Sequence, residues 1–213
     1  MRIIAPDFDR VVDRPGAGPC PRPVEASSDP AALEGLRLLI DDIADGLALE
    51  EETGEDEVLL VLIAGAVAVT VSGPHEGTYQ LDADGDWALH LPPRHRCRVE
   101  PFAPSTLASA RVPAEAASAP RAFAPREGVL SVAPPAARLR LRLLPLAGED
   151  DASAGLGDAV ARLAYLGGPA TLLSSDGDRD LPPAHVLALS PGENATVRGD
   201  GELLVVAALG KTG

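Results

Sequence analysis

The stretch 56-DEVLLVLIAGAVAVTVSG-73, from Asp56 to Gly73, decides the fold. It is an aliphatic, β-branched run broken once, at Ala64-Gly65, and Val67, Val69 and Val71 alternate with smaller or polar residues. That grammar predicts two antiparallel strands joined by a tight turn. Working outward, 77-GTYQLDADGD-86, 87-WALHLPP-93, 96-RCRVEPF-102 and 105-STLASARV-112 supply further short strands, punctuated by Asp, Gly and Pro. No convincing helix separates them, so an all-β barrel or sandwich is expected rather than parallel βαβ winding.

The pattern then repeats. The segment 88-ALHLPPRHRCRVEPFAPSTLASARV-112 lies over 186-VLALSPGENATVRGDGELLVVAA-208, with Leu91 on Leu189, Pro93 on Pro191 and Val99 on Val197. Upstream, the Gly65 turn falls on Gly167-Gly168. Two copies of one barrel imply this division: an irregular, Pro/Gly-rich arm over residues 1–35, an N-terminal barrel over 36–112, a linker or crossing segment over 113–136, and a degenerate C-terminal barrel over 137–213. In 138-RLRLRLL-144 the leucines alternate with Arg138, Arg140 and Arg142, which predicts a half-buried strand with one wet face. Ser153–Leu166 reads as strand or, from its Ala and Leu content, as helix.

The blocks from Glu57 to Gly65 and from Gly85 to Pro93, each followed by another strand, resemble the two conserved blocks of the cupin superfamily. The resemblance implies a double-stranded β-helix, or jelly roll, and the repeat implies a bicupin. More narrowly, 53-TGEDEVLLVLIAGAVAVTVSG-73 with 88-ALHLPP-93 resembles the N-terminal cupin of the deoxyglucuronate isomerase family of inositol breakdown. Metal-binding cupins carry two histidines and a glutamate in the first block and a further histidine in the second. Here 46-GLALEEETGEDE-57 holds no histidine, Glu57 is the one residue offered for the glutamate, and the second-block histidine position falls near Cys97. The C-terminal copy offers only Asn194 and Thr196.

The bulk composition narrows the partners. The chain has 213 residues and a net charge of −14, its only lysine being Lys211. Such a charge opposes nucleic acid and anionic membranes, both of which require clustered Lys and Arg. The opening 1-MRIIAPDFDRVV-12 is too acidic and too short in apolar run for a signal peptide, and no run of about 18 apolar residues is present. A cytoplasmic location is expected. Aromatics are 3% of residues, so Leu, Val and Ala build the core. No Gly-x-Ser-x-Gly elbow, phosphate loop or dinucleotide fingerprint occurs.

His90 and His95 are the candidate site residues beside Glu57, although a strand-end and a loop histidine, both partly exposed, would look the same in sequence. Cys97, flanked by Arg96 and Arg98, is expected to face inward as a small hydrophobe, and Trp87 to anchor a core or close a barrel mouth. The acidic run Glu50, Glu51, Glu52, Glu55, Asp56, Glu57 reads as a solvated, mutually repelling loop, Asp176–Asp178 as a hairpin turn, and His185 as a strand start. These residues predict a protein without metal or cofactor that binds a small carbohydrate or sugar acid, or serves as a scaffold. The alternative is a uronate-type isomerase in which Glu57, His90 and His95 move protons. Pairing of barrels edge to edge into a homodimer would cover exposed strand edges.

Overall fold

The structure is a computed structural model, and it describes residues 1–14, 18–27, 35–115, 118–124, 131–132, 137–146, 149–151, 159–175 and 177–210. Among these residues the regular structure is all β. Four short strands occupy the first 35 residues: β1 (Arg2–Ile4), β2 (Val11–Arg14), β3 (Gly18–Pro21) and β4 (Val24–Ser27). The first half of the repeat supplies β5 (Arg37–Ile43), β6 (Leu49–Glu52), β7 (Asp56–Ala64), β8 (Ala66–Ser72), β9 (Gly77–Asp82), β10 (Ala88–Leu91), β11 (Arg96–Pro101) and β12 (Ser105–Pro113). Next come β13 (Arg121–Phe123) and β14 (Ser131–Val132). The second half supplies β15 (Leu139–Leu146), β16 (Glu149–Asp151), β17 (Ala159–Leu166), β18 (Ala170–Leu173), β19 (Arg179–Leu181), β20 (Val186–Leu189), β21 (Thr196–Gly199) and β22 (Gly201–Leu209).

The sheets carry the repeat. A six-stranded sheet ordered β13-β10-β7-β12-β5-β4 faces a four-stranded sheet ordered β6-β11-β8-β9. The second half has the same pair, β1-β20-β17-β22-β15-β14 with β16-β21-β18-β19. All strand pairs are antiparallel, although most consecutive strands cross from one sheet of a half to the other. The two strands of Asp56–Gly73 form as read, but they do not pair with each other: β7 lies between β10 and β12 in the six-stranded sheet and β8 between β11 and β9 in the four-stranded one. Gly65, at φ 92°, therefore turns the chain from one sheet to the other, and a Cβ there would meet the Ser105 side chain.

Three apolar layers result. Side chains on one face of β7 (Val58, Leu60, Leu62) join Val67, Val69, Val71, Leu89, Leu91 and Val99 inside the first half. Those on the other face (Leu59, Val61) pack with Ala108 and Ala110 against Leu139, Leu141, Leu163 and Val206, so the two six-stranded sheets stack on each other. A third layer lies within the second half, around Leu166, Leu187, Leu189 and Val205. Strands of both six-stranded sheets are therefore covered on both faces. Their near-continuous aliphatic runs follow from that, and each fully buried Leu or Val contributes roughly 1.5–3 kcal/mol.

Several expectations are corrected here. The described part of the first 35 residues is not an irregular arm: β4 extends the first six-stranded sheet, and β1 pairs with β20 at the edge of the second, Arg2 opposite Ala188. Proline is tolerated there because Pro19 and Pro21 lie in β3, which pairs with β2 alone. In the 113–136 segment, β13 pairs with β10, so this stretch also enters a sheet. Ala159–Leu166 is strand, while 153–158 and Asp176 lie outside the described residues. Strand β15 has no wet face: Arg138 is buried, and Arg140 and Arg142 are half-buried on the face shared with Leu144 and Leu146.

Candidate functional site

Of the three residues singled out by sequence, Glu57 and His90 meet and His95 lies apart in a turn. Glu57 lies at the start of β7 and His90 in β10, both 0% exposed. They share the face of Leu59 and Ala88, which is the layer between the six-stranded sheets rather than the interior of the first half. Glu57 Oε1 accepts the backbone N–H of Leu139 from the opposite sheet, and Oε2 stands 3.4 Å from His90 Nε2. His90 Nδ1 is buried without a hydrogen-bond partner. The pair is an internal link between sheets, sealed from solvent.

His95 serves a turn. It is 2% exposed, and its Nδ1 lies 3.1 Å from the Pro92 carbonyl and 3.0 Å from that of Pro93. Carbonyls only accept, so Nδ1 carries the proton and donates. The other nitrogen, Nε2, accepts the His75 N–H at 3.3 Å, and the two rings stack at 5.8 Å. Arg94 completes the turn at φ 66°. The same local device recurs in 182-PPAH-185, where Ala184 has φ 65° and His185 Nδ1 lies 3.0 Å from the Pro182 carbonyl. The partly exposed histidines expected from sequence are thus both buried, one by sheet stacking and one by folding back on its own Pro-Pro step.

The acidic run is not a solvated loop either. It forms β6 and enters β7, and antiparallel register sets Glu50, Glu51 and Glu52 opposite Arg98, Cys97 and Arg96 of β11. On the outer face, Arg98 Nη1 donates to Glu50 at 3.2 Å and Arg96 Nε approaches Glu52 at 2.9 Å. Being exposed, these pairs are screened by water and contribute little to stability. On the inner face the charges are buried. Glu51 accepts from Arg111 Nη1 at 3.0 Å and from Arg14 Nη2 at 3.3 Å, while Arg22 grips Asp41 through two bonds of 2.7 and 3.1 Å. Arg14 also lies 3.7 Å from Asp41. Arg14 Nε, Arg111 Nε and Ser109 Oγ are buried without hydrogen-bond partners.

Two arginines of this cluster, Arg14 and Arg22, come from the N-terminal segment, which sequence read as lacking structure. Nothing in that Pro-rich stretch announced them. The match of 50-EEE-52 to the alternating arginines of 94-RHRCR-98 was the signal available for the rest.

A cavity of about 520 Å³ adjoins the cluster, lined by Arg14, Arg96, Arg98 and Arg111, by Glu50–Glu52, by Thr70 and Ser72, and by Cys97. Nine of its ten lining residues carry a charged or hydroxyl side chain. Cys97 is buried among Val71, Val99 and Leu49 as expected, and burial, then the Glu51 carboxylate, pushes its thiol up to about 12. It stays protonated at neutral pH and is a poor nucleophile and a poor metal ligand.

A first-row metal does not fit these residues. Among the described residues no group of three or more His, Cys, Asp or Glu side chains converges. Glu57 faces away from Cys97, and the carboxylate nearest Cys97, Glu51, is already matched by two guanidinium groups that would repel a cation.

No family model matches the chain, and no curated protein matches it. Solved structures do. The chain is similar to the Escherichia coli protein Ylba, assigned to the family model DUF861, at 14% identity and TM-score 0.75, over 99% of this chain and 91% of that one. It is similar to the Escherichia coli bacterial pirin YhhW in complex with nickel(II), at 14% identity and TM-score 0.66, over 99% and 100%. It is also similar to an S161A mutant of Bacillus subtilis oxalate decarboxylase, at 9% identity and TM-score 0.65, over 98% and 77%. The chain accordingly has the all-β jelly-roll fold of the cupin type.

Proposed function

We propose that this cupin-fold protein comprises two tandem jelly-roll barrels and binds a small polyhydroxylated carboxylate, a sugar acid, without a metal. The observation that carries this reading is the chemistry of the 520 Å³ cavity beside β6, β11 and β8. Four arginines can take a carboxylate in bidentate fashion, while three glutamates and two hydroxyl side chains can accept from or donate to sugar hydroxyls. Oxalate decarboxylase, among the structural neighbours, acts on a small carboxylate by its name. The two-barrel reading is supported by the strand orders of the two halves, which correspond at every position but the β13 and β1 edges.

The experiment is a calorimetric titration with D-glucuronate and with D-glucose. Uronate binding that exceeds glucose binding and weakens in Arg98→Ala is expected; equal binding of the two sugars, or none, would overturn the reading. Arg98 is exposed, so this variant keeps the fold. Metal analysis of protein prepared under metal-replete conditions tests the other half, since stoichiometric zinc or another transition metal would contradict it. A uronate isomerase using Glu57, His90 and His95 is the less favoured reading, because none of the three lines this cavity.

A further inference from the structure

We propose that the cleft between the two six-stranded sheets is a second binding site, for a small organic cation bearing one flat apolar group. At the end of the central layer marked by the Gly65 and Gly167 turns, the sheets leave a cavity of about 350 Å³. That is within the range of small-molecule sites, roughly 300–1,000 Å³. Its walls include Trp87, Tyr165, Val61, Leu143 and Leu204, with Glu202 as the one charged residue.

The concentration of aromatic rings is informative. The chain has one tryptophan and two tyrosines, and the tryptophan and one tyrosine meet here from opposite halves. Trp87 is neither simply a core anchor nor a lid on the first barrel, because it packs against both the central layer and the first-half interior while one part stays open to the cleft. Ring faces attract cations through their quadrupole, and more strongly where water is excluded.

The charges point the same way. Glu202 lies two residues before Leu204 on β22, so both project to the cleft side. Its carboxylate has no hydrogen-bond or ion-pair partner among the described residues. No Lys or Arg lines the cavity. Burial, then the charge of Asp42, pushes the Tyr165 phenol above its ordinary value, so that ring stays neutral beside a second carboxylate. An anionic ligand would meet Glu202 and a chain of net charge −14; a neutral one would leave Glu202 unmatched. A protonated amine attached to a ring satisfies the carboxylate and the aromatic walls together.

Because Trp87 is the only tryptophan, its fluorescence reports on this cleft alone. The test titrates the full chain with 2-phenylethylammonium, 2-phenylethanol and 3-phenylpropionate while following Trp87 emission. A saturable change is expected for the ammonium, with affinity falling about two- to fivefold in Glu202→Gln, as for loss of one exposed charge pair. Glu202 is exposed, so the variant keeps its fold. Tyr165→Leu should weaken binding further. An equal response to all three compounds, no saturable response, or an unchanged Glu202→Gln titration would overturn the proposal. A shift of Trp87 emission on raising protein concentration alone would place a second copy in the cleft and also overturn it.

Discussion

Replacing Glu57 by alanine should destabilise the protein by about 3–5 kcal/mol. In the native state one carboxylate oxygen takes the Leu139 N–H across the sheet interface, and the other stands beside His90 Nε2. Alanine would strand that N–H in a layer where Glu57 and His90 are 0% exposed. An unsatisfied buried donor costs about 1–3 kcal/mol, and breaking a buried charged contact by removing one partner about 3–5 kcal/mol. These overlap, so the larger range bounds the total. Each kcal/mol moves the midpoint by about 2–4 °C in a chain of this size, so the melting temperature should fall by at least about 6 °C. Urea unfolding gives the free energy directly. Glu57→Gln keeps an acceptor for Leu139 and should cost less than half as much. If Glu57→Ala lost under about 1 kcal/mol, or Glu57→Gln cost as much as alanine, the cross-sheet link would not be what holds Glu57 in place.

The remaining predictions concern the turn and the buried thiol. His95→Ala should cost about 1–3 kcal/mol by removing the hydrogen bonds to Pro92, Pro93 and His75, whereas His185→Ala, at a more open copy of the turn, should cost about 1 kcal/mol or less; equal losses in urea melts would contradict the burial argument. Arg94→Gly should raise stability by up to about 1 kcal/mol by relieving a positive φ in a side-chain-bearing residue, and thermal melts of the variant would show whether it does. Native protein should give no thiol titre with Ellman's reagent at pH 8, and two thiols once unfolded, because Cys20 and Cys97 are both free and buried. Cys97 has a folded value of about 12, above its unfolded value of about 8.5. The stability it contributes is therefore complete below the unfolded value and drains away as pH rises toward 12. Cys97→Ala should lose less stability between pH 8 and pH 10.5 than wild type does, by roughly 2 kcal/mol. Parallel losses would contradict the burial of the thiol.

Local pattern revealed the strands, and packing revealed the rest. Val67, Val69 and Val71 point inward as their alternation implies, and the Gly65 turn falls where the aliphatic run breaks. The same reasoning failed at Arg140 and Arg142, because alternation marks a polar face without saying whether water or another layer covers it. It failed at Glu51 and Glu57 for a related reason. Consecutive acids suggest repulsion until the opposing strand is known, and Arg111 and Leu139 are far away in sequence. The Pro-rich opening gave no sign of pairing because its strands are only three or four residues long and depend on partners elsewhere. The cavities were hidden for the same cause. Trp87 and Tyr165 become neighbours only when the two six-stranded sheets stack.

The pairing of β1 with β20 sets an order of events for a chain made from its N-terminus. Arg2–Ile4 is synthesised about 180 residues before its hydrogen-bonding partners, Val186–Ala188. Through that interval this strand remains an open edge, free to pair wrongly. The first half can close its own sheets as soon as β13 has been made, since every strand in them precedes that point. The second half must recruit a segment made before the first. Maturation should accordingly be sequential, with the second half completed last, and a bulky fusion ahead of Arg2 should slow that final docking more than an equal fusion after residue 213.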